Sequence, residues 1–334
     1  MTAQNATGNL ALPVRIRRLL LLGLLLLLAV AASLTIGSSG LGLSALQGAD
    51  EERRALLAVI VDLRLPRALA ALAVGALLAL AGCLQQLLLR NPLADPYILG
   101  TSGGASVGAL LALWLGAGAL LVNLAAGLGA LTSIVVVFAL AGRDHSTTQA
   151  RLLLTGVAVA AFCGAVSSLL LSLAPDGLLR GMVFWLLGDL AGAGWQSAAL
   201  ALAGVLGLAL WLAPALNILG MGLQHSYSLG LSVHTLRWIV YGLAALATAA
   251  AVTTAGMIGF VGLIVPHALR LWLGQDLRVL LPAAALGGGL VLLLADLLAR
   301  TALAPQQLPV GAVMGLMGVP VFLWLLQQRA GRAC

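Results

Sequence analysis

The sequence contains no lysine. All 17 basic residues are arginine, they stand against 10 acidic residues, and only 8% of the 334 residues are charged. Soluble domains carry about 25% charged residues, so this chain cannot present a water-facing surface over its whole length. Without lysine there is no phosphate-loop motif, which excludes an ATPase site of that kind in the chain itself. Cysteine is scarce too. Cys83, Cys163 and Cys334 lie far apart, with neither disulfide nor zinc spacing, and the first two fall in apolar runs, where a lone cysteine packs as a small hydrophobe. The four histidines, His145, His225, His234 and His267, are scattered, and no paired carboxylates share a helix face. These absences leave no catalytic residue, no metal site and no cofactor bound by the chain to nominate. The net charge of +7 is spread over single and paired arginines. A nucleic-acid partner would demand a contiguous basic stripe, so none is expected.

What the chain has is apolar length. Hydrophobic residues make up 62% and the mean hydropathy is +1.11. Crossing a hydrocarbon core of about 30 Å takes roughly 20 apolar residues in a helix. Alternating strand patterns are missing, which excludes a barrel. The runs predict ten helical spans, at 18–37, 57–88, 95–113, 117–141, 150–173, 191–213, 234–256, 260–274, 280–299 and 309–328. Arg15, Arg17 and Arg18 ahead of the first run resemble a signal peptide, but the run from Leu19 to Thr35 exceeds a usual signal core. It is expected to be a retained span. Residues 18–328 are read as a single transmembrane domain, with cytoplasmic tails at 1–17 and 329–334.

Orientation follows from arginine placement, because cytoplasmic loops are enriched in positive residues. With both termini inside, eleven arginines and three acids lie on the inner side, a net of +8, against six arginines and seven acids outside, a net of −1. Two connections exceed simple hairpins. The outer one, about 174–190, is amphipathic enough for a short interfacial helix. The inner one, 214–233, reads as two short helices broken at Gly222 or Gly230, a shape suited to docking a soluble partner. Glycines such as Gly75, Gly82 and Gly104 recur inside the spans, where small residues let helix backbones approach closely in lipid.

Short motifs cluster at the span ends. They are RLPRALAAL (64–72), RNPLADPYILGTSGGASVG (90–108), ARLLLTGVA (150–158), FWLLGDLAGAGW (184–195), GMIGFVGLIVPHALR (256–270), LLPAAALGGGLVLLLADLLAR (280–300) and LPVGAVMGLMGVPVFLWLL (308–326). Seven motifs in order, over about 60–328, closely resemble the FecCD-type permease family of cobalamin, ferric-siderophore and haem importers. The resemblance implies an all-α polytopic membrane protein with the type II ABC importer permease fold, in the bacterial inner membrane. It implies a homodimer, two cytoplasmic ATPase subunits that use ATP and Mg, and a periplasmic substrate-binding protein above.

Residue roles follow from the resemblance where motifs match. Arg64 and Arg67 of RLPR and Arg300 of ADLLAR match arginines that receive acidic side chains of the binding protein, a task that suits a permanently charged bidentate donor. Asn91 and Leu93 of NPLADP match positions that narrow the inner end of the pathway. Thr148, Gln149 and Ala150 match the second gate element, where Gln149 and Ala150 replace small hydroxyl residues. Leu219, Gly222, Leu229 and Gly230 match the ATPase-coupling pattern, with Leu223 and Tyr227 standing where charged residues are common. Arg180 in the outer loop has the chemistry to attract the carboxylates of haem or a siderophore. It has equally the chemistry to cap a helix C-terminus. The resemblance implies an iron chelate, haem or ferric siderophore, as the expected cargo, with cobalamin as the alternative. A stand-alone ion-coupled carrier is the competing class. Such carriers place ionisable groups at mid-membrane, and here Asp296 alone lies near a span interior.

Overall fold

The structure, a computed structural model, describes residues 12–38, 50–141 and 150–330. Among these every regular element is helical. In chain order they are α1 (Leu12–Thr35), α2 (Asp50–Ala58), α3 (Leu65–Leu88), α4 (Thr101–Trp114), α5 (Ala119–Ala141), α6 (Ala150–Ser172), α7 (Asp176–Leu187), α8 (Trp195–Met221), α9 (Leu223–Ser228), α10 (Val233–Ala255), α11 (Val261–Leu273), α12 (Leu277–Thr301) and α13 (Val310–Ala330). A wider-turned π segment, Val59–Arg64, joins α2 to α3, so Asp50–Leu88 is one continuous helical run of 39 residues.

Seven helices are long and apolar enough to cross a membrane. The ten expected runs are all helical, but three are short. Helix α11 has 13 residues, about 20 Å at 1.5 Å per residue, against a core of about 30 Å. Helix α4 has 14 residues and is extended at its inner end by a 3₁₀ turn at Pro96–Leu99. The apolar part of α13 is likewise short, Val310–Leu325. The expectation at 214–233 also changes. Helix α8 continues through Pro214 to Met221, so only the second half of that loop is a separate helix. Helix α1 begins at Leu12, and helix α13 persists to Ala330. The N-terminal extension is anchored, because Arg18 donates to the Trp272 carbonyl and its guanidinium lies 5.6 Å from the Trp272 ring centroid.

Helix α3 lies at the centre. It is buried nearly all round, with α8, α10, α11 and α12 against it. Hydrocarbon tails are as apolar as leucine, so nothing like the hydrophobic effect drives helices together in lipid, and close backbone approach takes its place. Alanine and glycine along α3 permit that approach. At the α3–α12 crossing a Cβ on Gly75 would overlap the Gly288 carbonyl, and one on Gly288 would overlap the Gly75 carbonyl and crowd Ala79. Gly82 meets Gly262 of α11 in the same way, and Gly104 of α4 meets Gly129 of α5.

The Gly288→Ala substitution should therefore force α3 and α12 apart and cost about 1–3 kcal/mol, the usual penalty for overpacking. Gly204→Ala, where nothing lies within 4 Å of the added methyl, should leave stability unchanged or slightly raised. Thermal unfolding of the detergent-solubilised protein measures both.

Candidate functional site

Polar side chains gather at the two ends of α3. At the outer end, Asp296 of α12 is fully buried and sits between two guanidiniums. The Nε of Arg67 donates to Asp296 Oδ1 at 2.8 Å, and Arg300 Nε lies 3.0 Å from Asp296 Oδ2. The side chains reach further. Arg67 donates to Gln307 Oε1 at 2.6 Å and approaches Asp189 at 3.9 Å. Arg300 donates to Ser33 Oγ at 2.8 Å. Arg64 donates to the carbonyls of Leu34 and Thr35 at 2.9 and 3.0 Å, the last turn of α1. Those carbonyls have no partner within their own helix, and a cation is the favoured group at a helix C-terminus. The cluster thus ties α1, α3, α12 and the segment leading into α13.

The resemblance reads Arg64, Arg67 and Arg300 as a docking set. The structure brings them together beside Asp296, where the three residues are 4%, 8% and 4% exposed. The reason is electrostatic. A buried carboxylate without partners is costly, and Asp296 draws in two guanidiniums to offset that cost. Asp189 follows the bend at Gly188, whose φ of 74° favours glycine. Its N–H donates to the Ala255 carbonyl at 2.9 Å, and Gly311 of α13 donates to the Gly188 carbonyl. The outer ends of α7, α10 and α13 therefore meet beside the ionic cluster. Arg180 lies on the exposed side of α7, its guanidinium 5.6 Å from the Phe184 ring centroid.

At the inner end the segment 91–96 folds on itself. Asn91 Oδ1 accepts from the Leu93 N–H at 3.0 Å, and Asp95 caps the following turn by accepting from the Tyr97 N–H at 2.8 Å. Asn91 and Leu93 both remain exposed. The holders of this segment were not anticipated from the sequence. Gln86, buried in α3, donates within reach of the carbonyls of Ala94 (3.4 Å), Gly262 (3.3 Å) and Leu263 (3.1 Å). Gln85 donates to the Pro96 carbonyl at 3.2 Å. Two adjacent glutamines in a 24-residue apolar helix were the available signal, since buried amides in lipid must find partners.

These bonds also locate the α10–α11 turn. Tyr97 lies on the inner side of the sequence topology, and Ile258 in a turn expected outside. Yet the Tyr97 hydroxyl accepts from the Ile258 N–H and donates to the Ile258 carbonyl, both at 3.0 Å. The turn Gly256–Phe260 therefore dips into the bundle, which is why α11 is short. Irregular backbone at membrane depth persists only where protein or a water-filled cavity satisfies it. Phe260, with φ of 69°, presses against Gly318 of α13.

Of the second gate element, Thr148 and Gln149 lie outside the described residues, and Ala150 opens α6. Nearer the inner surface, α8 ends at Gly222, whose φ is 129°. Helix α9 folds back, held by Ser226, whose hydroxyl donates to the Gly222 carbonyl at 2.8 Å; Gly230 with φ of 73° closes the turn. Met221, Tyr227 and Leu229 project from this tip, each more than 60% exposed, while Leu219 is buried. Leu229 is thus available for contact and Leu219 is a packing residue. No group of three or more metal-ligating side chains occurs among the described residues.

The chain matches known proteins along most of its length. The sequence profile of the FecCD transport family matches residues 24–328. The hemin transport system permease protein HmuU of Yersinia pestis is 39% identical, covering 96% of this chain and 99% of that protein. The vitamin B12 import system permease protein BtuC of Salmonella typhi is 40% identical over 94% of this chain and 96% of its own length. A solved metal-chelate type ABC transporter in an inward-facing conformation superposes with a TM-score of 0.85, at 32% identity, covering 93% of this chain and 99% of that one.

Removing the central carboxylate with Asp296→Ala should leave two buried guanidiniums without their counter-charge. Breaking a buried pair costs about 3–5 kcal/mol. The expected outcome is a large drop in the yield and melting temperature of folded protein, whereas Arg180→Ala, at an exposed site, should change neither.

Proposed function

Because the chain belongs to the FecCD transport family, the permeases of metal-chelate, haem and B12 type ABC importers, we propose that its own cargo is an iron chelate, haem or a ferric siderophore. The observation that carries this reading is Arg180. Its guanidinium is exposed on the outer helix α7 and steadied over Phe184, a permanent positive charge placed to receive carboxylates. Cobalamin, whose periphery carries amides in place of carboxylates, is the second reading, favoured by the likeness to the B12 permease.

In this reading the chain is a non-catalytic subunit of the bacterial inner membrane. A second copy completes the pathway, two cytoplasmic ATPase subunits bind and hydrolyse ATP with Mg, and a periplasmic binding protein delivers cargo. The exposed tip formed by Met221, Tyr227 and Leu229 supplies an apolar knob for an ATPase groove, with Gly222 and Gly230 setting its turns. Asn91 and Leu93, exposed beside it, narrow the inner end of the pathway, and Thr148, Gln149 and Ala150 form the second gate. Arg64, Arg67 and Arg300 mark where an acidic binding protein docks. Docking there competes with Asp296 for Arg67 and Arg300. A stand-alone ion-coupled carrier is disfavoured, because Asp296 is committed to two guanidiniums and not to a mobile ion.

Reconstitution in lipid vesicles with the ATPase and binding protein tests the proposal. Uptake of haemin should require ATP on the ATPase side and the binding protein on the other; uptake driven by a proton gradient with this chain alone would overturn it. In the same vesicles Arg180→Ala should slow haemin uptake while leaving cyanocobalamin uptake unchanged, and the reverse ordering would favour the second reading. Arg64→Ala combined with Arg67→Ala should weaken binding-protein affinity by about tenfold, the scale of a lost charge-assisted hydrogen bond; unchanged affinity would remove the docking assignment.

A further inference from the structure

One polar joint lies outside every role assigned above. Helix α8 carries Asn217 four residues before its end at Met221, just ahead of the exposed tip. The Asn217 amide is used on both sides. Its Nδ2 donates to Asp276 Oδ1 at 2.9 Å, and its Oδ1 accepts from the Leu277 N–H at 2.9 Å. An amide turned by 180° would lose both bonds, so the pair fixes the side chain in one orientation. Asp276 is the N-cap of α12, where it also accepts from the Arg278 N–H at 3.1 Å, and Arg15 of α1 reaches its other oxygen at 3.4 Å. One asparagine thus occupies the first orphan donor of α12 and the residue that caps it.

Helix α12 leads from this joint to the other end of the molecule. Its 25 residues span about 37 Å, and they carry Asp296 and Arg300 at the outer end. Along the way its backbone touches that of α3 at Gly75 and Gly288, a close packing that fastens it to the central helix. Coupling between distant sites requires a rigid element that both sites bias. Helix α12 is bonded to the tip-bearing helix at one end and to the ionic cluster at the other.

We infer that Asn217 and Asp276 are positioning residues that join the inner tip to α12, so that displacement of the tip is conveyed to the outer cluster around Asp296. The inference rests on the importer reading, since it takes the tip to be where an ATPase pushes.

A charge swap tests it. Asn217→Asp removes the donor and places a second carboxylate against Asp276. Adding Asp276→Asn restores the link between the two helices: the new carboxylate at 217 accepts from the Leu277 N–H and from the new amide at 276, whose oxygen then faces Arg15, and only the cap on the Arg278 N–H is lost. The measurement is haemin, and separately cyanocobalamin, taken up per ATP hydrolysed in vesicles holding the full complex. Asn217→Asp should lower that ratio by about tenfold, the scale expected when a charge-assisted hydrogen bond is lost, and the double swap should bring it back to within about twofold of wild type on the same scale. A role in folding alone would change the amount of assembled complex and not the ratio. Wild-type ratios in Asn217→Asp, or a double swap as poor as the single, would overturn the inference. If Asn217→Asp does not assemble, the double swap decides: assembly and coupling restored support the joint, and their absence overturns it. Failure of the wild-type chain to associate with an ATPase would instead overturn the importer reading.

Discussion

The contact on which the rest of the fold depends is the meeting of two backbones, α3 and α12, at Gly75 and Gly288. In lipid a helix gains little by exchanging hydrocarbon contacts for leucine contacts, so association relies on close packing and internal polar bonds. The two glycines remove the side chains that would hold the axes apart. Helix α3 can then be surrounded by α8, α10, α11 and α12 and act as the spine of the molecule. Its central position also explains where the polar groups are. An ionic pair that must be shielded from lipid needs a helix with protein on all sides, and α3 is that helix. Arg67 sits near one of its ends and Gln85 and Gln86 near the other.

The two ends use different chemistry for different purposes. The outer end is ionic. Asp296, Arg67 and Arg300 form a buried cluster with bonds to α1 through Ser33 and to the α13 approach through Gln307. Pairs of this kind contribute little net stability against an apolar alternative, but removing one member is expensive. The inner end relies on amides as well as charge. Gln86 and Asn217 bridge elements remote in sequence, joining the exposed Asn91–Leu93 segment to α11 and the tip of α8 to α12, while Gln85 bonds the nearby Pro96 carbonyl. The Arg15–Asp276 ion pair lies beside the Asn217 bridge.

Between the ends, the turn Gly256–Phe260 interrupts the bundle. Tyr97 satisfies both the N–H and the carbonyl of Ile258, and Gly311 and Gly318 let α13 rest against the turn with little side-chain volume between them. The opposite face of α13 is exposed at Leu316, Val319, Leu323 and Trp324.

Much of this was legible in one dimension. Apolar run length marked the positions of the membrane helices, because the thickness of the hydrocarbon core sets a minimum length. Seven motifs in order gave the family. Glycines at 222 and 230 announced the breaks they make. The partners of the polar residues were not legible. Arg67 and Asp296 stand 229 positions apart and Gln86 and Leu263 stand 177 apart, and periodicity reports which face a residue occupies, not what packs against that face. For the same reason the ion pairs of Arg67 and Arg300 with Asp296 were not foreseen, Pro214 did not end α8, and an apolar run at 260–274 proved to be a short helix starting inside the bundle. The bilayer acts on length and polarity, which the sequence carries by itself. The choice of which backbones touch, and hence which buried charges and amides find one another, belongs to tertiary packing alone.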